Sequence, residues 1–99
     1  MADGFEWDEA KNAANLRKHG VAFEEAVEIF EGPHFSRLDD RFDYGEVRDV
    51  SIGLVGGQVL VTVAHTERGG VTRMISARKA TKAERRLFFA YLEKALGGN

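Results

Sequence analysis

Two pairs of adjacent glycines, Gly56-Gly57 and Gly69-Gly70, constrain this chain more than any other feature. They punctuate residues 47–79, a stretch otherwise rich in Val, Ile, Leu and Thr. Paired glycines supply the positive φ angles of tight hairpin turns, and β-branched runs on either side suit strands. The stretch therefore reads as three antiparallel strands joined by two hairpins. A two-residue turn at Gly56-Gly57 sets Val55 opposite Gln58 and so fixes the register. Arg48 then faces His65, Val50 faces Val63, Ile52 faces Val61 and Leu54 faces Val59. That makes one nearly continuous apolar face for helices to cover. At the second hairpin Thr66 faces Val71. The opposite face, with Asp49, Ser51, Thr62, Ala64 and Arg73, is small and polar enough to be open to a ligand.

The flanking segments supply the helices. Phe5-Glu-Trp7 reads as a brief strand. Asp8 is a helix N-cap with acids behind it, where the helix dipole favours them, and the helix runs to His19 before Gly20 stops it. In residues 21–31, Phe23, Ala26, Val27 and Phe30 fall at i, i+3, i+4 and i+7, one apolar stripe of a second helix. Gly32-Pro33 ends it, His34–Leu38 suits a strand, and residues 39–45 form a polar, turn-rich loop. Thr81 and Glu84 have the spacing of a capping box at the head of a last helix, with Leu87, Phe88, Tyr91, Leu92 and Ala95 as its stripe. The expected fold is α+β, in the order β-α-α-β-β-β-α, with an antiparallel sheet and the helices packed on one face.

The length, 99 residues, suits one domain over residues 1–99. There is no Cys, which excludes disulfides, thiol nucleophiles and Cys-based zinc sites. No apolar run is long enough to span a bilayer and the start carries no secretory pattern, so the expectation is a cytoplasmic protein with no membrane association. Charge is divided unevenly. Residues 1–50 hold 13 acidic and 6 basic side chains, a net −7, and residues 51–99 hold 3 acidic and 8 basic, a net +5. A basic second half suits a polyanionic ligand.

The polar residues in and around the hairpins suggest which chemistry. The inferred register gathers Arg48, His65, Glu46, Glu67 and Arg68 at one end of the sheet. Such a set suits an anion site, phosphate above all, whose oxygens guanidinium forks bind in pairs. A satisfied ion-pair cluster at a sheet rim would look the same in sequence. Arg73, Arg78 and Lys79 are candidate substrate-binding residues. Arg78 lies about 20 Å along its strand from Thr72, the residue facing His65, so only a bulge could bring it to the same site. No carboxylate or His spacing matches a metal site, and no cofactor is expected.

Several segments resemble the BrnT toxins of bacterial type II toxin–antitoxin pairs. They are Phe5-Glu-Trp-Asp8, Asn15-Leu-Arg-Lys-His-Gly-Val21, Phe23-Glu-Glu-Ala26, Ile52-Gly53, Thr66-Glu-Arg68 and Ile75-Ser-Ala-Arg78. The resemblance runs from Phe5 to about Arg86. It implies a RelE-like ribonuclease toxin that arrests growth and is neutralised by a BrnA-type antitoxin, in an assembly with an even number of chains. Metal-free RNA cleavage of that kind needs a base for the 2′-hydroxyl, cations for the charge that builds on phosphorus, and an acid for the leaving oxygen. Arg48, His65, Glu46, Glu67 and Arg68 can fill those roles, and the resemblance makes them the candidate catalytic set. It also favours a functional role for Glu46, Arg48 and Thr66-Glu-Arg68; Val47 stands where relatives often carry a second Glu. The alternative is a non-catalytic member of such a pair, binding RNA or only its antitoxin. In either case Lys82, Arg85 and Arg86 of the last helix are expected to meet acidic partner residues.

Overall fold

The computed structural model describes residues 4–39 and 48–97. The chain runs β1 (Phe5–Glu6), α1 (Glu9–His19), α2 (Phe23–Ala26), a 3-10 helix (Val27–Glu31), β2 (His34–Leu38), β3 (Asp49–Val55), β4 (Val59–Arg68), β5 (Val71–Lys79) and α3 (Lys82–Ala95). The class is α+β. Four strands, not three, follow the helices. They form a five-stranded sheet in the order β1-β5-β4-β3-β2. Every pairing is antiparallel except β1 with β5, so the sheet is mixed.

Helix boundaries follow local chemistry. The Asp8 carboxylate accepts the N–H groups of Ala10 and Lys11 at 2.8 and 3.2 Å. Gly20 takes φ of 74° and donates to the Leu16 carbonyl, which closes α1. Thr81 and Glu84 form the expected capping box at the head of α3. The second helix is α-helical only to Ala26 and tightens to 3-10 geometry beyond it. Its four buried apolar residues are Phe23, Ala26, Val27 and Ile29, with Phe30 only partly covered. The tighter winding brings Ile29 inward in place of Phe30.

Two buried asparagines brace this layer, and Asn15 ties it to the sheet. Asn15 donates to the carbonyls of Val21 and Ala77 and accepts the Ala77 N–H, and Asn12 accepts the Phe23 N–H. Each satisfies backbone groups that burial would otherwise orphan.

The register departs from expectation by one residue at the first hairpin. Gly56 and Gly57 do adopt positive φ, 62° and 70°, and Gln58 N–H donates to the Val55 carbonyl. Gln58 is nevertheless left in the loop, and Val55 pairs with Val59. Consequently Asp49, not Arg48, faces His65. At the second hairpin β4 continues to Arg68, which pairs with Val71 across Gly69-Gly70, so Thr66 faces Arg73 and not Val71. A bulge between Ala64 and His65 leaves Ile75 as an extra residue on β5.

The physical reason for the first shift lies in what covers the sheet. The helices do not share one face. α1, α2 and the 3-10 helix cover Val61, Val63, Met74 and Ala77, while α3 lies on the other side against Ile52, Leu60 and Phe35 through Phe88. A sheet covered on both sides needs apolar residues on both, and a one-residue slip exchanges every side chain between faces. The observed register divides the apolar residues of β3 and β4 between two clusters. The face expected to be open is largely closed: Ser51 and Thr62 are both buried, on opposite sides of the sheet.

Candidate active site

The same slip divides the candidate residues. His65 and Glu67 lie on the side of α1 and α2, and Arg48 and Arg78 on the side of α3. His65 is 4 % exposed. Its Nε2 stands 2.7 Å from the Ser51 hydroxyl, which is itself 2.7 Å from the Ser36 hydroxyl at the outer strand. The Phe30 ring meets the imidazole edge-on at 5.1 Å. Burial pushes the His65 pKa down, although the charges of Asp49 and Glu67 pull the other way. Glu67 approaches the other ring nitrogen to 3.7 Å, beyond hydrogen-bond range, and accepts a hydrogen bond from the Thr72 hydroxyl at 3.0 Å. This is a histidine held inside the sheet layer by burial and its bond to Ser51.

The α3 side holds a cleft of about 250 Å³ lined by Arg37, Arg48, Thr62, Ser76, Arg78 and Glu84, with Asp39 at its margin. Its three arginines come from β2, the approach to β3, and β5. Alternation places them there. Phe35 packs against α3, so Arg37, two residues on, emerges on the same side. The pairing of Thr62 with Arg78 aligns β5 with the floor of the cleft. Arg78 is fixed by its contacts. It grips Glu84 with both terminal nitrogens, at 2.7 and 2.8 Å. Hydrogen bonding from Arg78, against the cost of burial, holds the Glu84 carboxyl down at about 2, with the Thr81 N–H and Thr62 hydroxyl assisting. A guanidinium has five N–H donors. Glu84 and the Lys79 carbonyl engage three of those on Arg78, so the group still has donors to offer an oxyanion.

The other sequence candidates are dispersed. Arg68 is exposed at the end of β4, about 13 Å along the strand from Ala64 of the cleft. Arg73 sits at the β1 edge, 3.5 Å from Glu6. Lys79 is exposed at the end of β5. Glu46 lies outside the described residues, as do residues 40–45 of the polar loop. The bulge at Ile75 does not unite Arg78 with His65, because the two side chains stand on opposite sides of the sheet. Sequence reasoning missed Arg37 and Glu84 as members of the site. The signal for Arg37 was the period-2 pattern of His34–Leu38; that for Glu84 was its doubled use, as cap and as the partner of an arginine. Among the described residues, no group of three His, Asp or Glu is placed to hold a metal ion, and no helix is long and apolar enough to cross a membrane.

Fold and cleft together define a small α+β protein with an arginine-lined cleft on one face of its sheet. The family model described as the ribonuclease toxin BrnT of type II toxin–antitoxin systems matches residues 7–84. The crystal structure of the Brucella abortus ribonuclease toxin BrnT is similar at a TM-score of 0.60 and 26 % identity, over 79 % of this chain and 96 % of that one. No curated protein matches the chain. The chain belongs to the BrnT family of ribonuclease toxins, the toxic halves of type II toxin–antitoxin pairs.

Proposed function

We propose that the protein is a metal-independent endoribonuclease acting in the cytoplasm, and that the RNA phosphate under attack lies in the cleft between Arg37, Arg48 and Arg78. The lining of one cleft by three arginines, from β2, β5 and the segment entering β3, carries this reading. Guanidinium forks bind phosphate oxygens in pairs and stabilise the extra negative charge of the transition state. Arg68 lies farther along the same sheet, where it holds the RNA as it leaves the cleft. Glu46 is the carboxylate assigned to proton transfer. His65 supports the site from behind, by bonding β4 to Ser51 of β3. Free activity of this kind would stop translation, so a BrnA-type antitoxin neutralises the toxin in an even-numbered complex. Keeping the free toxin near 1 % at micromolar concentration requires a Kd under about 10 nM.

Expression without antitoxin in a bacterial host is expected to arrest growth and degrade bulk RNA. Arg48→Ala is expected to remain folded by circular dichroism and to lose about 10²–10³ in cleavage rate. Cleavage by the variant at the wild-type rate would overturn the assignment of the cleft. Activity abolished by EDTA and restored by Mg²⁺ would overturn metal independence. The burial of His65 favours one other reading, a non-catalytic binding module; soluble wild-type protein that leaves RNA intact and growth normal would select it.

A further inference from the structure

We infer that the outer surface of α3 is a docking surface for an acidic amphipathic helix of the antitoxin. The inference rests on the toxin–antitoxin reading above, and it concerns the side of α3 that faces away from the arginine cleft.

Of the 14 residues of α3, only Glu84 and Phe88 are buried. Phe89 is 47 % exposed and Leu87 38 % exposed, and Leu96 just beyond the helix is 77 % exposed. Large exposed apolar side chains along one helix mark an interaction surface more often than a solvated one. Two shallow hollows run beside the outer ridge and share Ala90 between them. One is formed by Leu87, Tyr91 and Phe35, the other by Phe89 with Arg85 and Arg86. Ala83 and Ala90 lie seven residues apart along that ridge. Small residues there let a second helix axis approach to about 8–10 Å, with its own apolar side chains seated in the hollows.

Charge selects the occupant. Lys82, Arg85, Arg86 and Lys94 surround the apolar residues, and Glu93 is the one exposed acid of α3. The Arg85 guanidinium lies over the Phe89 ring at 5.7 Å from its centroid, so cation and apolar surface form one patch. A second copy of this helix would bring like charges together, which costs association. RNA would satisfy the cations and leave Leu87 and Leu96 in water. An amphipathic helix with Glu or Asp beside its apolar stripe satisfies both sets at once. The partner therefore grips the side of α3 opposite Glu84, the residue that holds Arg78 in the cleft.

The test uses the full chain and the antitoxin from the neighbouring gene. Binding is measured by titration calorimetry and neutralisation by growth rescue on co-expression. Phe89→Asp and the pair Arg85→Glu with Arg86→Glu are expected to keep growth-arresting activity and to weaken antitoxin binding at least ~30-fold, since buried aromatic and Arg side chains dominate such interfaces. Rescue should fail for both. Arg48→Ala should bind the antitoxin as tightly as wild type. Unchanged affinity of both α3 variants, each folded by circular dichroism, would overturn the proposal, and the charge-reversed pair keeps the test decisive if Phe89→Asp does not fold. Retained antitoxin affinity with lost binding of an oligouridylate would assign α3 to RNA instead and also overturn it. Calorimetry reads docking even if the wild type proves inactive on RNA, so failure of the ribonuclease reading is distinguishable from failure of this one.

Discussion

His65 is among the most buried polar side chains of the sheet layer. Its ring is buried between Phe30 and the Ser51 hydroxyl, and burial lowers its pKa from the usual 6.5. The folded state therefore prefers the neutral ring, whereas the unfolded chain takes up a proton first as pH falls. Stability contributed by the neutral ring is complete above 6.5 and is lost as pH drops from there through the folded value. His65→Gln keeps a hydrogen-bonding group near Ser51 and removes the titration. Urea unfolding of wild type and variant at about pH 7.5 and about pH 5.5 should show a smaller acid-induced loss for the variant. Equal losses would mean that the ring is not titrating in this environment.

At the scale of elements, close packing and buried ion pairs decide what can change. Gly53 of β3 lies under the 3-10 helix, where an added Cβ would stand 2.7 Å from Ile29 Cβ and 3.2 Å from its carbonyl oxygen. Gly53→Ala should therefore destabilise by about 1–3 kcal/mol through overpacking, read as a lower denaturation midpoint at unchanged slope. A neutral effect would show that the helix moves away freely. Glu84→Gln should cost about 1.5–3 kcal/mol at neutral pH, because its carboxylate accepts charged hydrogen bonds from Arg78. The folded carboxyl titrates at about 2 against 4.5 when free. Its contribution is thus full above 4.5 and fades as pH falls toward 2, so wild type and variant should converge in stability in acid. Helix ends were legible in the sequence because Asp8, Gly20, Thr81 and Glu84 act through bonds spanning a few residues. Strand register was not, because Gly56-Gly57 is compatible with either pairing, and the choice depends on helices distant in sequence that lie on both faces. With the register went the site. Arg48 and Arg78 were identifiable as candidate anion contacts, but their separation from His65 follows from which face each strand residue takes. Arg37 was hidden because β2 joins the cleft only through its pairing with β3.

For the molecule as a whole, the sheet is the shared wall of two apolar clusters. One centres on Trp7, Phe23 and Met74, the other on Phe88, Ile52 and Leu60. Neighbouring residues of the same strands serve both, Leu60 on one side and Val61 on the other. Neither cluster can dissolve without exposing the back of the other, so unfolding should be a single transition. Tryptophan fluorescence, which reports the first cluster, and far-ultraviolet circular dichroism should give coincident curves. Separate midpoints would show that α3 melts on its own. The parallel pairing of Phe5 with Thr72 and Glu6 with Arg73 adds a constraint in time. The first strand to leave the ribosome can find its neighbour only after β5 has been made. At roughly 5–20 residues per second, several seconds of synthesis separate the two. During that interval the sheet lacks its outer strand, and Trp7 lacks the wall it packs on. A newly made chain is thus completed late, its first strand placed only once the fifth has been synthesised.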